Sequence, residues 1–232
     1  INYVGDWIYR RERLSLVDQK IRLLGLDLIA FQNLTSRSGS PSESDRNILS
    51  KGALKGYSWQ GFIQSYHEDT AEQNELSLAV APPLKLRIQL QNKKQFWVIG
   101  NEGAFSAHVV ERDQVPFAIF NIIMPARFGR NFIWYSFIEG KILDFLKQNN
   151  ICKQRMIILG YLPADESSIR FREFTERLEL KDSSTGVCKV ASTCNTANAD
   201  NELLLANTPE MADTITDRIL IPSSAIVISS RP

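Results

Sequence analysis

The chain has 232 residues, 44% hydrophobic and 23% charged, with 27 Lys and Arg against 26 Asp and Glu for a net charge of +1. That length and composition suit an ordinary globular chain, able to bury a sizeable core without a disulfide or metal staple. The near balance of charge argues against nucleic acid as the partner, because phosphate neutralisation calls for a basic excess. No apolar run approaches the ~20 residues that cross a bilayer, and no signal-peptide pattern opens the chain at Ile1.

In chain order, Leu14, Val17, Ile21 and Leu24 recur at spacings of three and four and predict an amphipathic helix over 10–25, stopped by Gly25. The run Leu26 to Gln32 predicts a buried strand, and the Ser-rich stretch 35–46 a loop. A short helix is expected over 43–54. Strands then recur at about 57–66, 76–81, 84–91, 94–99, 104–111 and 115–124, with turns at Asn92-Lys93-Lys94 and Asp113-Gln114. Ile138, Ile142, Phe145 and Leu146 mark a second amphipathic helix over 132–148, and Met156 to Leu162 another buried strand. Ser167 or Ser168 can cap a helix running to Leu178. Residues 181–211 are polar and irregular, and Asp217 to Ile228 returns to strand character. The order of elements is that of an α/β chain with much antiparallel pairing, and no Gly-rich phosphate loop of the nucleotide-binding kind occurs.

Arg10, Arg11 and Arg13 cluster, as do Arg127 and Arg130; each group is either a solvated face or a local basic patch. Cys152 stands alone. Cys188 and Cys194, six apart, either bridge, which would imply an exported and oxidising setting, or remain thiols, as in the cytoplasm. The two histidines, His67 and His108, both read as structural. Trp59, Trp97 and Trp134 are candidate platforms for a ligand, or else core packing.

Five stretches carry a family resemblance. Asp27-Leu28-Ile29-Ala30-Phe31-Gln32-Asn33 follows a strand pattern that ends in Gln-Glu, and Asn2 can be the Asn of the opening strand. Phe120-Asn121-Ile122-Ile123 follows an Asn-x-His strand, and Ile157-Ile158-Leu159-Gly160-Tyr161-Leu162-Pro163 a Gly-Asp-x-Asn strand. Thr216-Asp217-Arg218-Ile219 keeps the Asp of a late strand, with Thr193-Cys194-Asn195-Thr196 upstream; no Ser-Asp-His follows before Pro232. These stretches together resemble the endonuclease/exonuclease/phosphatase superfamily, which includes apurinic endonucleases, neutral sphingomyelinases and inositol-phosphate phosphatases.

The resemblance covers nearly the whole chain, each motif being degenerate, and implies a single domain over 1–232. The fold it implies is α/β, a four-layer sandwich of two mixed β-sheets flanked by helices. In such a site a Glu holds the divalent metal, a His contacts the phosphate, and an Asp and Asn orient water and support the transition state. Here those positions hold Asn33, Ile123, Tyr161 and Pro163, beside Asn2, Asn121 and Asp217. Neutral Asn is a weaker ligand for Mg²⁺ than a carboxylate, isoleucine offers no donor, and a phenol is a poor base at neutral pH. The expectation is a catalytically inactive relative without a metal cofactor, binding a protein, a glycan or a lipid headgroup through its old cleft or loops, with Asn2, Asn33, Asn121, Tyr161 and Asp217 converging in one depression at the strand ends. The alternative is a divergent Mg²⁺-dependent phosphodiesterase or phosphatase with a rearranged site.

Overall fold

The computed structural model describes residues 10–37, 44–67, 72–87, 95–99, 103–124, 132–162, 169–183 and 217–226. Helix α1 (Arg10–Leu24) buries Leu14 and Ile21, with Val17 packed beside them. Gly25 ends it at φ 57, its amide donating to the Ile21 carbonyl at 3.0 Å, a left-handed turn that suits a residue without Cβ. Helix α2 (Asp45–Lys51) begins where the Ser44 hydroxyl accepts from the Asn47 amide at 3.1 Å. Both helices pack on β1 (Leu28–Arg37) and β3 (Glu72–Val80), through a core that includes Phe31, Leu34, Leu49, Leu54 and Ala79.

With β2 (Ser58–His67), these strands form an antiparallel sheet in the order β1-β3-β2. The larger sheet holds β4 (Lys85–Arg87), β5 (Phe96–Ile99), β6 (Gly103–Arg112), β7 (Val115–Ile123), β8 (Met156–Tyr161), β9 (Leu180–Asp182) and β10 (Asp217–Pro222). Its order is β4-β6-β7-β8-β10-β9, with β5 also beside β6. Strands β7 and β8 run parallel and are joined through α3 (Phe132–Asn149), the long crossover that a parallel pair requires. Helix α3 and α4 (Ile169–Arg177) cover the outer face of this sheet. The expected apolar positions Ile138, Ile142, Phe145 and Leu146 are all buried there with Phe120, Ile122 and Ile158. Between the sheets lie Ala30, Leu78 and Val80 from one side and Val110 and Ile119 from the other. The result is the four-layer α/β sandwich implied by the resemblance.

Several details differ from expectation. Strand β1 does not stop at Gln32; after a register shift between Phe31 and Leu34 its ladder with β3 resumes and runs to Arg37. Leu180–Asp182 forms β9, although the polar stretch from 181 read as irregular. The turn at Asp113-Gln114 is present, with φ of 51 and 67, the two left-handed residues of a tight hairpin joining Arg112 to Val115. Asn2, Asn92-Lys93-Lys94, Arg127, Arg130, Pro163, Ser167, Ser168, Cys188 and Thr193–Thr196 lie outside the described residues.

Candidate functional site

Register fixes which side chains can meet at one end of the larger sheet. Val98 pairs with Ala104, Ala104 with Ile123, Ile123 with Tyr161, and Tyr161 with Asp217. One row across five strands therefore contains three of the positions singled out by the resemblance, Ile123, Tyr161 and Asp217. The next row toward the middle runs Phe96, Ser106, Asn121, Leu159 and Ile219. Because alternate residues of a strand share a face, both rows lie on the same side of the sheet.

The second row is tied to the smaller sheet. Gln32 Nε2 donates to Asn121 Oδ1 at 2.7 Å, and Asn121 Nδ2 donates to the carbonyls of Phe31 at 2.9 Å and Ser77 at 3.0 Å. Asn121 is fully buried and Gln32 nearly so. Asn33, next to Gln32, is the extra residue of the β1 bulge and takes φ 58, a left-handed conformation that Asn tolerates better than most residues. At the bulge Gln32 meets Asn121 of the second row.

The first row is largely apolar. Ile123 and Ala104 are buried with Leu76 of the smaller sheet, and Phe96 and Tyr161 pack partly buried against them. Gly160 precedes Tyr161 at φ 144, where an added Cβ would stand 1.9 Å from the Ile122 carbonyl oxygen. The close parallel approach of β8 to β7 explains why glycine persists in this strand. Tyr161 donates no charge to the row, and its carbonyl accepts from the Met124 amide at 2.9 Å. Thus Ile123, Tyr161 and Asp217 share one row of β7, β8 and β10, Asn121 stands two residues before Ile123, and Asn33 follows Gln32, which is bonded to Asn121; Asn2 and Pro163 fall outside the described residues.

Of these positions only Asp217 brings a carboxylate, the kind of ligand that Mg²⁺ prefers. Asn33 and Tyr161 are neutral, Ile123 has no donor, and Asn121 has both ends of its amide engaged within the fold. Among the described residues no group of three or more His, Cys, Asp or Glu side chains could hold a metal ion.

Sequence reasoning missed two buried polar arrangements. His108 is fully buried; its Nε2 lies 2.8 Å from Ser106 Oγ and its Nδ1 2.9 Å from Gln60 Oε1. Burial pushes its pKa down to about 3, which keeps the ring neutral. The Ser–His–Gln order looks like that of a nucleophile and its base, but Ser106 is also fully buried and can meet no substrate. Arg218, beside Asp217, pairs with Asp182 at 2.8 Å, donates from Nε to the Leu162 carbonyl at 3.2 Å, and stacks over Phe171 at 4.6 Å. It fastens the ends of β8 and β10 to β9 and α4 from the face opposite the row. No periodic signal marks either arrangement; the partners are brought together only by the fold.

Trp59, Trp97 and Trp134 are half-buried and pack against the cores. Trp59 stacks on Phe31 at 5.4 Å beneath Arg46, Trp97 stacks on Phe105 at 4.5 Å, and Trp134 meets Phe137 edge-on at 6.2 Å. A depression of about 460 Å³ lined by Gln154, Glu176, Glu179, Leu180, Pro222 and Ser223 lies at the opposite end of the larger sheet, far along β8 and β10 from Tyr161 and Asp217.

No protein-family model and no curated protein matches the sequence. Solved structures do share its fold. An endonuclease/exonuclease/phosphatase family protein from Leptotrichia buccalis superposes with a TM-score of 0.61 at 11% identity, over 94% of this chain and 85% of that one. A mannosyl-6-phosphatase from Bacteroides thetaiotaomicron gives 0.63 at 15% identity, over 96% and 82%. The human Nocturnin catalytic domain, solved with a bound sulfate anion, gives 0.58 at 13% identity, over 93% and 75%. The chain therefore has the fold of the endonuclease/exonuclease/phosphatase family. At these identities the likeness is one of fold, and chemistry has to be argued from this chain's own residues.

Proposed function

We propose that this chain is a non-catalytic member of the endonuclease/exonuclease/phosphatase fold, acting by binding a protein, a glycan or a lipid headgroup rather than by hydrolysis. One observation carries this reading. Ile123 and Tyr161, which fall where the resemblance expects a phosphate-binding His and a water-orienting Asp, pack with Leu76, Ala104 and Phe96 in an apolar cluster. Hydrolysis of a phosphate ester needs charge and oriented donors at the reacting centre. An apolar cluster at that place supplies neither, and Asn33 brings no carboxylate to offset it.

The test is direct. Titration calorimetry with Mg²⁺ and Mn²⁺ is expected to show no specific binding, and assays on DNA, sphingomyelin and inositol phosphates no metal-dependent turnover. Mg²⁺-dependent hydrolysis abolished by EDTA and by Asp217→Ala would overturn the reading. It would establish instead the second reading, a divergent metal-dependent phosphodiesterase or phosphatase. That second reading draws on Asp217, which keeps its place beside Tyr161 in the row.

A further inference from the structure

The two helices on the outer face of the smaller sheet differ in charge from the rest of the molecule. Residues 10–24 and 45–56 contain eight basic residues, Arg10, Arg11, Arg13, Lys20, Arg22, Arg46, Lys51 and Lys55, against three acidic ones, Glu12, Asp18 and Asp45. That is a net +5 in sequence on a chain whose total is +1, with Arg46 paired to Glu75 of β3 at 3.3 Å. Asp45 is fully buried, accepting from the Thr35 amide at 2.7 Å, and adds little to the outward field. Asp18 is engaged by Arg22 at 2.8 Å and by the Ala53 amide. Lys20, Lys51 and Lys55 have no ion-pair partner among the described residues.

The same layer exposes large apolar side chains: Leu16 at 61%, Leu23 at 77%, Leu24 at 45% and Ile48 at 38%. Single exposed leucines are ordinary. Here Leu16, Lys20 and Leu23 follow one another at spacings of four and three, which places them on one stripe of α1. That stripe faces away from the buried Leu14 and Ile21. The two helices are joined side by side, since the Asp18 carboxylate reaches Ala53 just after α2. On α1 the exposed leucines and Lys20 share their stripe with Glu12, and on α2 Lys51 stands three residues after the exposed Ile48, on the same face.

We propose that this surface, formed by α1 and α2, docks the protein on an anionic lipid bilayer. Leucines on such a face enter the boundary between headgroups and acyl chains, while lysine stems lie along it and their ammonium groups reach the lipid phosphates. Charge alone would also suit a nucleic acid, but the exposed leucine stripe has no counterpart there. No helix among the described residues is long and apolar enough to cross a membrane, so the contact is one of lying on the surface. The inference does not depend on whether hydrolytic chemistry has been lost.

The experiment is sedimentation of the full chain with vesicles of phosphatidylcholine alone or with about 30% phosphatidylserine, at about 0.15 M salt, without divalent metal. The protein is expected to pellet with the anionic vesicles only. Leu16→Ser with Leu23→Ser should weaken partitioning at least about tenfold, from the apolar area withdrawn from the bilayer. Lys20→Gln, Lys51→Gln and Lys55→Gln together should weaken it about a hundredfold, at roughly fivefold per charge. All five side chains are on the outer surface, and circular dichroism of each variant checks that it folds. Independently of any variant, salt raised to about 0.5 M should release the protein. Absence of pelleting, equal pelleting with neutral vesicles, or retention at high salt would overturn the proposal. So would a leucine variant that binds like the parent while duplex DNA displaces both, which would mark a general polyanion surface.

Discussion

Gln32 and Asn121 join the two sheets through a buried hydrogen bond of 2.7 Å, from residues 89 apart in the chain. Both belong to motifs that the resemblance associates with a catalytic site. In this chain their side chains hold the sandwich together at the edge of that site. The Asn121 amide also satisfies two main-chain carbonyls of the facing sheet, groups that would otherwise be buried without a donor.

Asn121→Ala is therefore expected to lower stability by about 3 kcal/mol, because it strands the Gln32 donor and two carbonyls away from water. Asn121→Asp should be worse than its size suggests, since it turns a carboxylate toward the oxygens of Phe31 and Ser77. Urea denaturation of the three proteins measures both effects; an Ala variant as stable as the parent would mean that the amide contributes little to holding the sheets.

Much of this framework was legible beforehand, for a definite physical reason. Met156 to Leu162 and the apolar stripe of α3 are dictated by local periodicity, which a sequence displays directly. The resemblance rested on strands of that kind, so it found the fold. Other features were invisible because they depend on residues distant in sequence. The continuation of β1 through Arg37 is polar and is held by pairing with β3, with no pattern of its own. Strand β9 is three residues long and buries Asp182 only because Arg218, 36 residues later, comes to meet it. His108 looked like any strand histidine until Gln60, 48 residues earlier, was placed against it. At the candidate site the sequence named Ile123, Tyr161 and Asp217 one by one; their alignment in one row follows from strand register, which no single segment encodes.

Acid should destabilise the protein through His108. Its folded pKa of about 3 lies below the ordinary imidazole value of 6.5, so the unfolded chain binds the proton more readily. Stability is fully present above about pH 6.5 and falls as pH drops toward 3, by about 1.4 kcal/mol per unit from this group. Between pH 7.5 and 5 the expected loss is about 2 kcal/mol. His108→Gln, which keeps a neutral hydrogen-bonding side chain, should flatten that part of the profile. An NMR titration showing the native imidazole charging near pH 6 would refute the assignment.

Arg218 should prove costly to remove and less costly to remove together with its partner. Its side chain and that of Asp182 are 1% and 7% exposed, so Arg218→Met leaves a buried carboxylate without its cation, at about 4 kcal/mol. Arg218→Met combined with Asp182→Leu removes the stranded charge and should recover part of that loss. Thermal unfolding of the single and double variants decides it: a double variant less stable than the single one would mean that Asp182 is held mainly by other contacts.

Asn33→Glu is expected to restore no hydrolysis and to cost stability. The side chain would bring one carboxylate to the bulge of β1, where the resemblance expects a metal ligand. Yet Asn33 occupies φ 58 at the bulge, a conformation in which Asn is tolerated and Glu is strained by about 1 kcal/mol. Ile123 and Tyr161 would still fill the adjoining row with side chains that neither carry charge nor accept a proton near neutral pH. Each gap acts on the same transition state, so closing one leaves the barrier set by the others. Replacing Asn33→Glu, Ile123→His, Tyr161→Asp and Pro163→Asn together should recover metal binding before turnover. Calorimetric Mg²⁺ titration and phosphodiester assays of the single and quadruple variants separate these outcomes. Turnover appearing in the Asn33→Glu variant alone would mean that the remaining groups of an active site are already present in this chain.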